Sequence, residues 1–113
     1  MTIETLEAYG ADTKAGLQIC MNNESFYLRM VKMMPDDSSF QKLYDALETG
    51  NLSAAFAAAH ALKGATGNLG LTPLFKPLCE ITELLRARTA TDYTALVGTI
   101  RRYHDMLRDI CAE

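Results

Sequence analysis

The sequence predicts an all-α fold, an up-down four-helix bundle with a short additional N-terminal helix. Three observations predict it. Apolar residues recur at helical spacing along most of the chain. No stretch alternates apolar and polar residues long enough to make a strand. The breaks between segments are short and carry capping residues. At 113 residues the chain suits one domain over 1–113, able to bury roughly 65% of its unfolded surface.

The breaks fall at Gly10, "MNN" at 21–23, "PDDSS" at 35–39, Gly50-Asn51, "GLTP" at 70–73 and "TATD" at 89–92. They delimit helical segments near 12–20, 24–34, 37–49, 52–69, 73–88 and 92–111. Asn23 before Glu24 is an N-cap, Ser38 with Gln41 fits a capping box, and Asn51 caps the segment after it. Thr72-Pro73 puts proline at a first helical position, and Gly70 suits a C-terminal cap. Pro77 either kinks its helix or marks the true start. Pro35 divides one broken arm, 24–49, so that four long elements follow the short helix at 12–20.

The apolar stripes agree. Leu74, Leu78, Ile81 and Leu85 share one face, and Leu96, Ile100, Tyr103, Leu107 and Ile110 share another. The segment at 52–69 presents Leu52, Ala55, Ala59, Leu62, Thr66 and Leu69.

Composition narrows the function. Apolar residues make up 49% and charged residues 22%, the balance of an ordinary globular protein. A net charge of −3, a pI near 5.3 and no basic stripe argue against nucleic acid. The three cysteines, Cys20, Cys79 and Cys111, are widely spaced with no CxxC, so they read as small buried hydrophobes rather than a disulfide or zinc framework. "MTIETLEAYG" has an early Glu4 and no apolar signal-peptide core. No apolar run approaches the 18 or so residues of a membrane span. A standalone cytoplasmic monomer that binds neither membrane nor nucleic acid is expected.

One helical stretch breaks the local rules. "AAAHALKGATGNLG", residues 57–70, carries Gly64 and Gly67 within a helix, where each glycine costs about 1 kcal/mol relative to alanine. The core stripe of this helix centres near Ala59 and Thr66, which turns His60 roughly 100–120° away, toward solvent. Ser53, Ala57, Gly64, Gly67 and Asn68 share the His60 face, all small or short. Lys63 lies between that face and the core edge, with its stem packed and its ammonium free to reach out. Phe56, one turn before His60, stands where it can shield one side of the imidazole. A solvent-facing position has no packing reason to be glycine, so bare backbone here suggests close approach by another molecule.

The chemistry that fits is phosphoryl transfer. A neutral imidazole is a competent nucleophile near physiological pH, and its phosphorus–nitrogen bond keeps the phosphoryl group transferable. Lys63 can neutralise charge on the phosphoryl oxygens. No base triad and no nucleotide-binding glycine loop accompany His60, so the helix supplies half a site and a partner supplies the rest.

"AHALKGATGNLG" resembles the HxLKG signature of histidine-containing phosphotransfer (HPt) domains, which shuttle phosphoryl groups in two-component phosphorelays. "YGADTKAGLQICMNNESFYLRMVKMM" and "LETGNLSAAFAAAHALKG" extend the resemblance to the lead-in and to the loop before the histidine helix, so that it runs from about Gly10 to Ile110. It implies that His60 is the phosphoacceptor, that Lys63 screens the phosphoryl charge and that Gly64 admits a receiver domain. Phe56, Ala57, Gly67 and Asn68 complete the expected partner surface. The implied partners are receiver domains of response regulators or hybrid kinases. No cofactor is expected on this chain, and Mg²⁺ is held by the receiver. Members of the family often place a glutamine on the following helix to orient the imidazole; here Thr82 falls at that position, with Glu83 adjacent. The alternative is a non-catalytic helical adaptor that binds a receiver or another partner through the same face.

Other candidates read as ordinary structure. His104, between Tyr103 and Asp105, reads as a solvated surface histidine without a ligand pattern around it. Asp36-Asp37 follow Pro35 in a turn, where acidic residues are expected. Met30, Met33 and Met34 read as core filler. Arg86, Arg88, Arg101 and Arg102 are too dispersed along the sequence to define an anion site.

Overall fold

The computed structural model describes residues 1–113 as α1 Ile3–Tyr9, α2 Thr13–Ile19, α3 Glu24–Met33, a 3-10 turn Met34–Asp36, α4 Ser38–Glu48, α5 Leu52–Asn68, α6 Thr72–Arg86 and α7 Thr94–Cys111. No strand is present. The all-α bundle stands, with α3 and α4 as the broken arm and α5, α6 and α7 as the other long elements. None of these helices is long and apolar enough to cross a membrane.

Local chemistry sets the boundaries. Asn23 Oδ1 accepts from the Phe26 amide and Asn51 Oδ1 from the Ala54 amide, as their positions before the helices predict. The capping box expected at Ser38 does not form. Asp37 is the N-cap, accepting from the Ser39 amide at 2.8 Å, while Gln41 donates instead to Asp45. A carboxylate is at least as good a cap as a hydroxyl, so the helix starts one residue earlier. Pro77 neither starts nor breaks α6; it lies buried inside it, and the bond lost to the Pro73 carbonyl is local.

A further helix, α1, precedes the segments that periodicity picks out. Its seven residues make two turns, too few for a stripe to emerge. Thr2 and Thr5 close it with a reciprocal capping box. Leu6 and Tyr9 anchor it in the core, and the Tyr9 hydroxyl donates to the Tyr103 carbonyl on α7 at 2.8 Å.

One hydrophobic cluster joins every helix. Leu62 of α5, Leu74, Leu78, Ile81 and Leu85 of α6, and Ile100 and Leu107 of α7 are all fully buried, each contributing about 1.5–3 kcal/mol of transfer free energy. The α1–α2 and α5–α6 loops meet across Gly70. Its φ of +68° lies in the left-handed region, the Asp12 amide donates to its carbonyl at 2.7 Å, and a Cβ would lie 2.1 Å from the Asp12 carbonyl oxygen. Only glycine satisfies both conditions.

His104 is not a surface histidine. It is 7% exposed and stacks on Phe40 at 3.7 Å between ring centroids. Its Nε2 lies 2.8 Å from the Pro35 carbonyl, which can only accept, so Nε2 carries the proton. Nδ1 then accepts from the Tyr44 hydroxyl at 3.1 Å. Burial lifts the Tyr44 phenol to about 12, which keeps that donor protonated. Arg108 adds bonds to the Pro35 carbonyl and the Asp36 carboxylate. The break in the arm is thus fastened to α7 by a neutral imidazole. Met34, in the turn itself, is buried, whereas Met33 just before it is 61% exposed.

Burial is the main reason that His104 titrates below the ordinary value of 6.5. In the unfolded chain it takes up a proton near that pH, while the folded chain holds it neutral. The fold therefore has its full stability above pH 6.5 and loses it as pH falls through that value, by no more than about 1.4 kcal/mol per pH unit for one proton. Urea midpoints between pH 7.5 and 5.5 should fall, and His104→Gln should flatten that slope while lowering stability at every pH. An unchanged slope in the variant would assign the pH dependence elsewhere.

Candidate functional site

α5 is flanked by α4 on one side and α6 on the other. Ala55, Ala58, Ala59, Leu62 and Thr66 are buried, and the Thr66 hydroxyl returns to the Leu62 carbonyl at 2.8 Å, so the core face has no unpaired polar group. The opposite face carries His60, Ala57, Gly64 and Asn68, all exposed. The orientation read from helical spacing is therefore the one found.

The glycines of this helix differ in purpose. A Cβ on Gly64 would meet nothing within 4 Å, which leaves open space one turn beyond His60. A Cβ on Gly67 would lie 2.8 Å from Phe75 Cε1. Gly67 thus serves first as a seat for the Phe75 ring of α6, a correction to its reading as a solvent-facing position kept bare for a partner.

The α6 side of the site holds the charges. Lys63 Nζ lies 4.0 Å from Glu83 Oε1, and Arg86 Nε lies 3.4 Å from Glu83 Oε2. Both pairs are solvated, so each contributes little to stability, about 0–1 kcal/mol. They hold two cations beside the histidine face with one carboxylate between them. Neither residue expected to orient the imidazole bonds to it. Thr82 is fully buried and its hydroxyl donates to the Leu78 carbonyl at 2.6 Å, while Glu83 is the counter-ion of Lys63 and Arg86.

Phe56 stands beside His60 with ring centroids 5.6 Å apart, as its position one turn earlier predicts. Arg86 and Arg88 both lie over its ring, 4.9 and 5.4 Å from the centroid. Sequence spacing gave no sign of this convergence, because it depends on how the chain turns at the end of α6. No cluster of His, Cys, Asp and Glu side chains is arranged to hold a metal.

A groove of about 640 Å³ opens where α5 meets α2, α3 and the 3-10 turn. Ala65 and Asn68 line it from α5, and Cys20, Phe26, Met30 and Met33 from the other side. Around it Ile19, Met21, Phe26 and Met33 are exposed by 61, 84, 40 and 61%. Met33 therefore belongs to an exposed apolar cluster rather than to the core.

The bundle thus presents a solvent-facing histidine with a lysine one turn on and open backbone beside them. The Hpt domain family matches residues 29–112, and the chain belongs to that family. Its place is therefore in histidine phosphotransfer in two-component signalling. Among solved structures it is similar to histidine-containing phosphotransfer protein B (HptB) from Pseudomonas aeruginosa PAO1, with 23% identity, 90% of each chain covered and a TM-score of 0.77. That likeness is one of fold. Comparison with curated protein sequences gives no match.

The three glycines near the end of α5 should separate on substitution. Gly64→Ala should raise stability by about 0.5–1 kcal/mol, the helix-propensity gain. At Gly67 the same gain is offset by displacement of Phe75. Gly70→Ala should lower stability by at least about 1–2 kcal/mol. Thermal melts of the three variants test the order; a Gly64→Ala protein that melts at or below wild type would show that its bare backbone serves the fold.

Proposed function

We propose that His60 is the phosphoacceptor of a phosphorelay intermediate, taking a phosphoryl group from an aspartate on one receiver domain and passing it to another. The observation that carries this reading is the exposed imidazole of His60 with Lys63 one turn on and open space over Gly64, in a chain of the Hpt family. In the forward step a ring nitrogen lone pair forms a bond to phosphorus as the bond from phosphorus to the aspartyl oxygen breaks. The bonding pair leaves with the carboxylate. Lys63 neutralises the phosphoryl oxygens from the edge of the face, and its present partner Glu83, 4.0 Å away, is exposed enough to release it. Mg²⁺ and the acidic residues that bind it belong to the receiver.

The apolar patch of Ile19, Met21, Phe26 and Met33 supports the same reading. It adjoins the C-terminal half of the histidine face through Ala65 and Asn68. A receiver seated over Gly64 would cover part of it, burying apolar area beside the reacting atoms and excluding water. The methionines suit a surface that meets more than one partner, since their side chains adapt to different shapes.

Receivers charged with a small-molecule phosphodonor and Mg²⁺, mixed with this protein and read by intact mass, test the proposal. Wild type should acquire an acid-labile phosphoryl adduct, and His60→Gln should acquire none while melting like wild type. Lys63→Ala should fold normally and transfer about tenfold more slowly, the equivalent of one lost charge contact in the transition state. An adduct on the His60→Gln protein would overturn the assignment. Met33→Asp or Phe26→Asp should weaken transfer from receivers but spare direct phosphorylation by phosphoramidate.

A further inference from the structure

The α6 C-terminus ends beside the Phe56–His60 pair of α5. After Ala87 the chain closes in a two-bond turn, with the Thr89 amide donating to the Leu84 carbonyl and the Arg88 amide to the Leu85 carbonyl, both at 3.0 Å. The residue at the centre of such a turn adopts positive φ. Gly10, Gly50 and Gly70 hold that position after α1, α4 and α5. After α2 it is Met21, at φ +56°, and after α6 it is Arg88, at φ +52°. A side chain there is strained relative to glycine; that of Met21 is 84% exposed, whereas that of Arg88 is engaged by two helices.

The Arg88 side chain turns back over α6 and across to α5. Its guanidinium donates to the Leu85 carbonyl and, at 3.4 Å, to Ser53 Oγ, and it lies over the Phe56 ring. Arg86, held by Glu83, lies over the same ring. A half-buried phenyl is thus gripped by two cations, while the His60 ring rests beside it at an interplanar angle of 35°. No hydrogen bond from α6 reaches the imidazole: Thr82 is fully buried with its hydroxyl donating to the Leu78 carbonyl, and Glu83 pairs with Lys63 and Arg86.

We infer that Arg86, Arg88 and Phe56 form a positioning clamp for His60: the arginine-held ring restricts the imidazole to the rotamer that presents its nitrogen over Gly64. The inference rests on the reading of His60 as the phosphoacceptor. Phe56 is the piece that touches the nucleophile, and the arginines act through it. An exposed histidine with free rotamers presents its lone pair in the right direction only part of the time, and packing against a fixed ring raises that fraction.

Two readouts test the clamp, one of which needs no phosphoryl chemistry. The first is the side-chain coupling constants of His60 by NMR, which report its rotamer populations. The second is the rate of phosphorylation by phosphoramidate, a donor that needs no docking surface. Wild type should show one dominant rotamer. Phe56→Leu and the pair Arg86→Gln/Arg88→Gly should broaden the populations and slow phosphorylation by about two- to fivefold, what contacts of this strength convert to. Phe56→Tyr should restore a single rotamer. Arg88→Gly relieves the strained backbone, so its melting temperature should hold or rise; a slower reaction in a protein at least as stable is not a folding defect. Broad populations in wild type, or unchanged populations in the variants, would overturn the clamp. So would slowing seen with receivers but not with phosphoramidate, which would assign the arginines to partner docking. A wild-type protein with one fixed rotamer that accepts no phosphoryl group from any donor would refute the phosphoacceptor reading and leave the populations to judge the clamp separately.

Discussion

The packing of α5 between α4 and α6 is the constraint on which the rest of this structure depends. The helix buries a stripe built mainly from alanine, with Leu62 and Thr66 as its only larger members toward the C-terminal half. Small side chains let neighbouring helices approach closely, so both flanks are covered without long residues on α5 itself. What is left uncovered is a narrow strip, and that strip carries His60 and Gly64. Position and exposure of the histidine therefore follow from the core, and need no dedicated loop. Sites on rigid helices hold their geometry better than sites on loops.

The arrangement of charge around the strip complements this rigidity. The chain is acidic overall, with a net charge of −3, yet the α6 border of the site gathers Lys63, Arg86 and Arg88 with one carboxylate, Glu83, between the first two. A lysine and an arginine differ in what they can do here. The ammonium of Lys63 is a mobile point charge able to follow phosphoryl oxygens, whereas planar guanidinium groups lie flat on an aromatic ring. One cation is left free to move, and two are committed to Phe56. The histidine face thus has a soft edge, where charge can be exchanged, and a hard edge, where a ring is fixed.

Most of the fold was legible in the sequence because helix boundaries are written in short-range chemistry. Asn23, Asn51 and Gly70 act as read, and the stripe of α6 is buried as spaced. The buried face of α7 is instead turned toward Ile100, His104, Leu107 and Cys111 and leaves Leu96, Tyr103 and Ile110 half-buried. The misreadings have physical causes. α1 is too short for periodicity to register. His104 reads as a solvated residue between Tyr103 and Asp105, although it lies four residues after Ile100 and three before Leu107, both fully buried; that spacing is the available signal. Gly67 shares an angular sector with Gly64, and nothing local discloses that Phe75, eight residues later, fills its space. Arg86 and Arg88 are two apart, a spacing that puts them on different sides of a helix. Only because the helix ends between them, and Arg88 takes a left-handed backbone, do they converge on one ring.

The misreadings around the site share a pattern. Those at Gly67, Arg86 and Arg88 concern positions where one element meets another after the chain has turned, and they bear on how the site is supported rather than on which groups it presents. His60, Lys63 and Gly64 lie within two turns of one helix, so their mutual placement is a property of the helix and can be read from spacing alone. What holds them is not local. Phe75 under Gly67, Arg88 over Phe56 and the Asp12 amide on the Gly70 carbonyl are all contacts between elements. A nucleophile motif on one helix can thus persist through large changes in the surrounding residues, provided some neighbour restrains the imidazole. In this chain α6 offers no side-chain hydrogen bond to the ring, and an aromatic contact stands in its place. With His60 as the proposed phosphoacceptor, orientation by packing would leave both ring nitrogens free of a fixed partner, and no contact within the chain would have to break when one of them bonds to phosphorus.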